Sequence, residues 1–216
     1  MTRIIVFLGS PGSGKGTQAE LLQAKYPAVS HISTGNLLRN EVSQNTPLGI
    51  QVKDLIAEGQ LVPDDLILAV LEHHLLPLVN QNKTLILDGF PRNLDQAKSL
   101  TVLLERIHLH VVRVMFFDIE LKDILNRITG RQTCPNCHHV YHIEFMPSQV
   151  VGICDVCQTK LIQRTDDSAD KAKLRFTIFS QEVSPLLDYY KSNTMHLNAS
   201  ESPDQLFRAL EKVMPK

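Results

Sequence analysis

Residues 9–17 read Gly-Ser-Pro-Gly-Ser-Gly-Lys-Gly-Thr, placed between the apolar run 3–8 and a helical pattern over 15–26. Gly9, four residues, then Gly14-Lys15 is the spacing of a phosphate-cradling loop between a strand and a helix. Glycines there let successive backbone N–H groups curl around phosphate oxygens, while the following helix points its positive end at them. Gly12, Ser13, Gly14, Lys15, Gly16 and Thr17 are therefore candidate nucleotide-phosphate residues, with the Lys15 ammonium reaching the terminal phosphates. The general motif has a hydroxyl directly after the lysine to hold magnesium; here Gly16 intervenes and Thr17 follows.

A second grouping uses every cysteine in the chain. Cys134, Cys137, Cys154 and Cys157 form C-x2-C-x16-C-x2-C, a metal-ligand spacing. The opening residues hold only a short apolar run, Ile4 to Leu8, too little for a signal-peptide core or a membrane span. The expected compartment is reducing, where such cysteines serve as thiolate ligands rather than disulfides.

Elements must hold these groups in place. Short apolar runs at 3–8, 29–32, 84–88, 111–117 and 194–198 mostly lack polar–apolar alternation, as strands buried on both faces of a parallel sheet do. Helical patterns lie between them at 15–26, 35–44, 47–58, 64–79, 93–106, 120–129, 168–191 and 203–214. Asp64 after Pro63 and Ser202 before Pro203 mark helix starts. The alternation predicts an α/β domain. Two segments break it: 33–62 inserts two short helices, and 131–165 carries the cysteines with no helical period. A chain of 216 residues, 43% hydrophobic and 21% charged, is large enough for one full core. Its formal net charge of −1 provides no basic excess for nucleic acid.

The departure at Gly16 points to a family. G-x-P-G-x-G-K-G-T resembles the nucleoside monophosphate kinases, adenylate kinase above all. STGNLLR (33–39), GQLVPD (59–64), DGFPRNLDQ (88–96), NRITGRQ (126–132) and SPLLDYY (184–190) follow in the family's order. The resemblance implies a P-loop five-stranded parallel sheet covered by helices, the core being 1–32, 63–126 and 168–216. It implies an acceptor-binding helical insert at 33–62 and a lid at 127–167, of the long type in which four ligands hold a metal. Four thiolates suit tetrahedral zinc at a closed structural site with no open position for catalysis. His138, His139 and His142 are alternative ligands, read as surface or packing residues beside four cysteines in register.

By the same resemblance the reaction is reversible, magnesium-dependent transfer of the terminal phosphoryl group of ATP to AMP, giving two ADP. Lys15, Asp88, Arg92, Arg131, Arg164 and Arg175 would be catalytic, with Asp88 helping to hold magnesium through water. ATP would meet the loop residues together with Arg127, Arg131, Val140 and Tyr141, Arg127 stacking on the adenine. AMP would meet Thr34, Arg39, Gln60, Leu61, Val62, Gly89, Phe90, Arg92, Gln96, Arg164 and Arg175, Gln96 reading the base edge. Six of the ten arginines thus fall on family positions. Asp166 and Asp167 would orient lid arginines. The implied protein is a cytoplasmic monomer whose partners are nucleotides, without nucleic acid or membrane. Asn36 stands where Asp is usual, and Ala199 where a glycine lets the backbone approach the donor adenine. Another nucleoside monophosphate as acceptor is the near alternative; a zinc-ribbon nucleic-acid-binding P-loop protein is the distant one.

Overall fold

A computed structural model describes residues 2–58, 60 and 62–214. In chain order the elements are β1 (Arg3–Gly9), α1 (Lys15–Lys25), β2 (Val29–Ser33), α2 (Thr34–Ser43), α3 (Pro47–Glu58) and α4 (Asp64–Leu75). Then come β3 (Thr84–Asp88), α5 (Leu94–Arg106), β4 (Val111–Asp118), α6 (Leu121–Thr129), β5 (Arg131–Thr133) and β6 (Val140–His142). The chain closes with α7 (Ala169–Tyr189), β7 (Thr194–Asn198) and α8 (Pro203–Val213). Five strands form one parallel sheet in the order β2-β3-β1-β4-β7, and β5 and β6 form a separate antiparallel pair.

The sheet is parallel and covered on both sides because its central strand β1 has no polar face. Along β1, Ile4, Val6 and Leu8 enter one apolar cluster with Leu85, Leu87, Val114 and Phe116. The alternate residues Ile5 and Phe7 enter a second cluster with Ile86, Met115 and Phe117. Successive strand side chains point to opposite faces, so a continuous apolar run feeds two cores at once. Helices α4, α5 and α7 supply residues to the first cluster, α1 and α8 to the second.

All five expected strands are present, and the helix boundaries agree to within two residues except at one place. The pattern over 64–79 predicts one helix, whereas α4 ends at Leu75 and a 3-10 turn takes Leu76–Leu78. Pro77 lacks a backbone N–H and crowds the preceding turn, so regular helix stops there. Ser202 caps α8 reciprocally with Gln205, as its place before Pro203 predicts.

Parallel pairing sets the site. β1 lies between β3 and β4, with Phe7 opposite Asp88 and Gly9 opposite Phe117. The loops leaving the carboxyl ends of β1 and β3 therefore open on the same edge, where open α/β sheets bind ligands. No helix among the described residues is long and apolar enough to cross a membrane.

Candidate active site

The loop from Gly9 to Gly14 wraps back on itself before α1 begins. Gly12 has φ +85, and a Cβ there would lie 2.8 Å from Ile128 Cγ1. Glycine is needed for both the left-handed backbone and the close approach of α6. Lys15 folds over this loop, its Nζ donating to Gly9 O and Ser10 O at 2.8 Å each and to Ser13 Oγ at 3.2 Å. Burial lowers its pKa to about 8; Asp88 opposes that, and Arg92, Arg175 and Arg131 add to it.

Asp88 ends β3 over the start of α1, with Oδ2 3.7 Å from where a Cβ on Gly16 would be. His31 Nε2 from β2 lies 3.5 Å from the same oxygen. Burial pushes the carboxyl up, but His31, Lys15 and Arg92 outweigh it and hold Asp88 below the usual carboxylate value. Asp88 is thus an ionised group at the sheet edge rather than a helix cap. Beside it, Gly89 has φ +88, and a Cβ there would press to 2.7 Å from Thr34 Oγ1.

A cavity of about 690 Å³ opens from this edge. Gly12, Gly14, Lys15, Gly16, Thr17, Asp88 and Gly89 line its floor, with Arg39, Arg92, Arg127, Arg131, Arg164, Arg175, Val140 and Tyr141 around it. A smaller recess of about 40 Å³ adjoins through Arg39, Arg92 and Arg175, and is lined by Thr34, Gln60 and Val62. Ser13 is buried in the loop, where it accepts from Lys15. Leu61 lies outside the described residues. Phe90 is 1% exposed and packs in the sheet core beneath the recess instead of lining it. Gln96 is fully buried: its Oε1 accepts from Arg92 N at 2.7 Å and its Nε2 donates to Asp64 Oδ1 at 2.7 Å. An amide retains one further hydrogen and one further lone pair beyond those two bonds.

The arginines are held individually. Arg131 Nε donates to Asp167 Oδ2 at 2.8 Å, and Arg175 Nη1 to Asp166 Oδ2 at 2.7 Å. Arg164 Nε donates to Thr133 Oγ1 at 3.0 Å, Arg92 Nε to Gly89 O at 2.8 Å, and Arg39 Nη2 to Asn36 Oδ1 at 2.6 Å. Arg127 spans the loop and the start of α8 through Ser13 O at 3.4 Å and Glu201 O at 3.2 Å. Ala199 is fully buried and donates its N–H to Asp118 O at 2.7 Å; the following Ser200 and Glu201 face the cavity instead.

The four cysteines converge, every sulfur within 4.8 Å of the others. Two matching turns achieve this. His138 N donates to Cys134 O at 3.0 Å and Gln158 N to Cys154 O at 2.9 Å. The residue after each pair is left-handed, φ 62 at His138 and φ 60 at Gln158. The donor set, four sulfurs within reach of one ion, suits a thiophilic metal. Sulfurs so crowded share negative charge poorly without a cation, and four thiolates are a closed tetrahedral set. Tyr141 connects this cluster to the cavity, its hydroxyl 3.4 Å from Cys154 Sγ and accepting from Asp155 N at 2.8 Å. Thr17 and Asp88 offer a hydroxyl and an ionised carboxylate, a donor set that suits magnesium when phosphate oxygens and water complete it.

The three histidines bridge segments and are more than surface. His138 Nε2 lies 2.6 Å from Asn40 Oδ1 of α2, His139 Nδ1 lies 3.2 Å from Glu20 Oε2 of α1, and His142 Nε2 lies 3.2 Å from Asn126 O. His31, Glu20 and Asn40 carry no motif spacing that would single them out.

Comparison with known proteins accords with this geometry. The family model described as adenylate kinase matches residues 7–195. The chain is 39% identical to an adenylate kinase of Clostridium botulinum (strain 657) over 212 residues, 97% of each chain. It is 38% identical to one from Thermodesulfovibrio yellowstonii over 217 residues, 98% of this chain and 99% of the other. With an adenylate kinase of onion yellows phytoplasma it shares 39% over 213 residues, 98% and 97% of the two chains. A phosphate-binding loop, a cavity walled by arginines and these full-length similarities agree: the chain belongs to the adenylate kinase family.

Proposed function

We propose that this enzyme transfers the terminal phosphoryl group of magnesium-bound ATP to AMP, reversibly, giving two ADP. The observation that carries the reading is the cavity into which Lys15, Asp88 and six arginines converge. Residues 33–62 act as the acceptor-binding insert, 127–167 as the lid, and the remainder as the core.

Phosphoryl transfer asks little covalent chemistry of a protein; alignment and charge stabilisation do most of the work. Lys15 exchanges its loop carbonyls for the terminal phosphates of the donor, and the N–H groups of the loop and the start of α1 complete the cradle. Arg127, already fixed at two carbonyls, offers its flat guanidinium to the donor adenine. Arg39 and Arg92 hold the acceptor phosphate where the small recess meets the main cavity, with the base towards Thr34, Gln60, Val62 and Gln96. An acceptor phosphate oxygen then forms its bond to the γ-phosphorus as the bridging bond to the β-phosphate breaks. Arg131, Arg164 and Arg175 stabilise charge spread over the transferring group. Asp167 and Asp166 keep two of these guanidiniums aimed without motion at the moment of reaction.

When bound with ATP, magnesium neutralises charge on the phosphate oxygens; Thr17 and Asp88 are the residues that would hold it. Cys134, Cys137, Cys154 and Cys157 would hold zinc in a structural role. The segment they tie together carries Arg131 and Arg164 to the cavity and would shield the reaction from water. The enzyme works as a cytoplasmic monomer.

The test is ADP formation from ATP and magnesium with AMP, GMP, CMP or UMP as acceptor. Rapid turnover with AMP alone is expected. Turnover with another monophosphate overturns the acceptor, and no transfer from folded, metal-loaded protein overturns the reaction.

A further inference from the structure

The five arginines that face acceptor and transferring phosphate divide by the charge of their partners. Arg131 and Arg175 are tied to carboxylates, Asp167 and Asp166. Among the described residues Arg39, Arg92 and Arg164 donate only to neutral oxygens, those of Asn36, Gly89 and Thr133. Burial lowers these three to about 10, 10 and 9; neighbouring arginines add to it, while Asp166 at Arg39, Asp88 at Arg92 and Asp167 at Arg164 oppose it without outweighing it. At Arg131 burial works the same way, but Asp167 outweighs it and the guanidinium is raised. Arg39 also keeps its Nε buried with no partner among the described residues.

The partner of Arg39 sits at an informative place. Asn36 is the third residue of α2, and its N–H is capped by Ser33 Oγ at 3.4 Å. A carboxylate in the first turn of a helix stabilises it by meeting the positive end of the helix dipole. Five helices, α4 to α8, each carry an acid in that turn. α1, α2 and α3 carry none. For α1 the reason is plain, since phosphate must occupy that end. For α2 the local helix preference is set aside at the one first-turn side chain bonded to Arg39.

We infer that Asn36 is a positioning residue that aims Arg39 at the acceptor phosphate through a neutral bond, so that the substrate is the first anion to hydrogen-bond to Arg39. This deepens the proposed function and rests on the placing of Arg39 at the acceptor phosphate. Aspartate at position 36 would accept the same hydrogen bond but would neutralise the guanidinium beforehand, and incoming phosphate would have to compete with it.

The experiment compares the wild type with Asn36→Asp and Asn36→Ala by steady-state kinetics, AMP titration calorimetry and thermal unfolding. Asn36→Asp raises the KM and Kd for AMP by about tenfold, the size expected when one charge-assisted bond is contested. Its KM for ATP shifts less than the KM for AMP, and its Tm does not fall, because an acid at this helix end favours α2. Asn36→Ala frees Arg39 without neutralising it and weakens AMP less than Asn36→Asp does. The inference is overturned if Asn36→Asp binds AMP as the wild type does, or if Asn36→Ala loses as much or more. A merely structural role moves Tm and both KM values together. Failure of the underlying reading shows elsewhere, as a wild type that neither binds nor phosphorylates AMP. A wild type that takes a different monophosphate moves the comparison to that acceptor, since Arg39 is aimed at phosphate and not at the base.

Discussion

In β1 five consecutive residues, Ile4 to Leu8, are at most 3% exposed and serve two apolar clusters at once. In residues 131–165 the buried apolar cluster is Cys134, Tyr141, Cys154 and Leu161, half of it ligand sulfur. That segment leaves Val151 92% and Phe145 62% exposed. The sheet is ordered by surface withdrawn from water, a driving force present whenever the chain is in water. The cysteine segment is too small for a core of its own, so its order depends on what the sulfurs bind. The difference divides labour: the unconditional part carries Lys15 and Asp88, and the conditional part carries Arg131 and Arg164.

The sharpest break between the two regions is metal removal. Structural zinc contributes about 10–16 kcal/mol of apparent free energy in small four-ligand sites. Chelation, or Cys154→Ala, should release most of the order in 131–165 and leave the sheet intact. Amide exchange of 131–165 should accelerate by orders of magnitude while β1, β3 and β4 keep their protection, and phosphoryl transfer should be lost. Equal acceleration in both regions would refute the division. The reverse break is Leu87→Ala, at a fully buried position of β3. It should cost about 2–5 kcal/mol of global stability. Zinc affinity, measured by competition with a chromophoric chelator, should stay within about twofold, since distant sites without shared partners act independently.

The same contrast explains what could be read from the chain before its fold was known. Strands at 3–8 and 84–88 were legible because an uninterrupted apolar run followed by turn formers has one sensible place, a sheet covered on both faces. The phosphate loop and the cysteine pairs were legible because their chemistry is local and demands fixed spacing. Arg131 and Arg164 reached this reading only through resemblance; no spacing rule joins them to Lys15. His31 beside Asp88, His139 beside Glu20 and His138 beside Asn40 were invisible, the last pair lying 98 positions apart. Each is a product of topology, which brings distant segments to one sheet edge. The break of α4 at Leu75 was a missed local signal, since Pro77 was there to be weighed.

Lys15 brings the contrast into the unconditional region itself. Its pKa falls from 10.5 in the unfolded chain to about 8. Between these values the unfolded chain holds a proton that the folded chain has released, so stability rises with pH across that window. Below pH 8 both states are charged and the whole penalty is present. Lys15→Met should therefore raise the stability of the nucleotide-free protein at pH 7 by about 3 kcal/mol, less what the Gly9 and Ser10 carbonyls lose. The gain should fade by pH 10 in thermal unfolding, while phosphoryl transfer is abolished at every pH. A constant difference from pH 7 to 10 would mean that burial of the charge is not its origin.

The smallest effect tests the seam where the conditional region meets the rest. His138 sits at φ 62, a conformation that costs a non-glycine residue about 1 kcal/mol. Its ring lies against Asn40 of α2, so the strained turn that brings Cys134 and Cys137 together also joins the cysteine segment to the insert. Asn40→Ala should shift the segments apart by about 1 kcal/mol, the net worth of one hydrogen bond, or roughly fivefold in a closing equilibrium. His138→Gly removes the same contact but also relieves the turn, so it should raise zinc affinity slightly while loosening closure to a similar extent. Fluorophores on 40–58 and 145–156 would read the distance, and a double-mutant cycle would isolate the pair. A coupling energy indistinguishable from zero would mean that the seam is held by the neighbouring His139–Glu20 contact, and the contrast between the two regions would then end at α1 instead of α2.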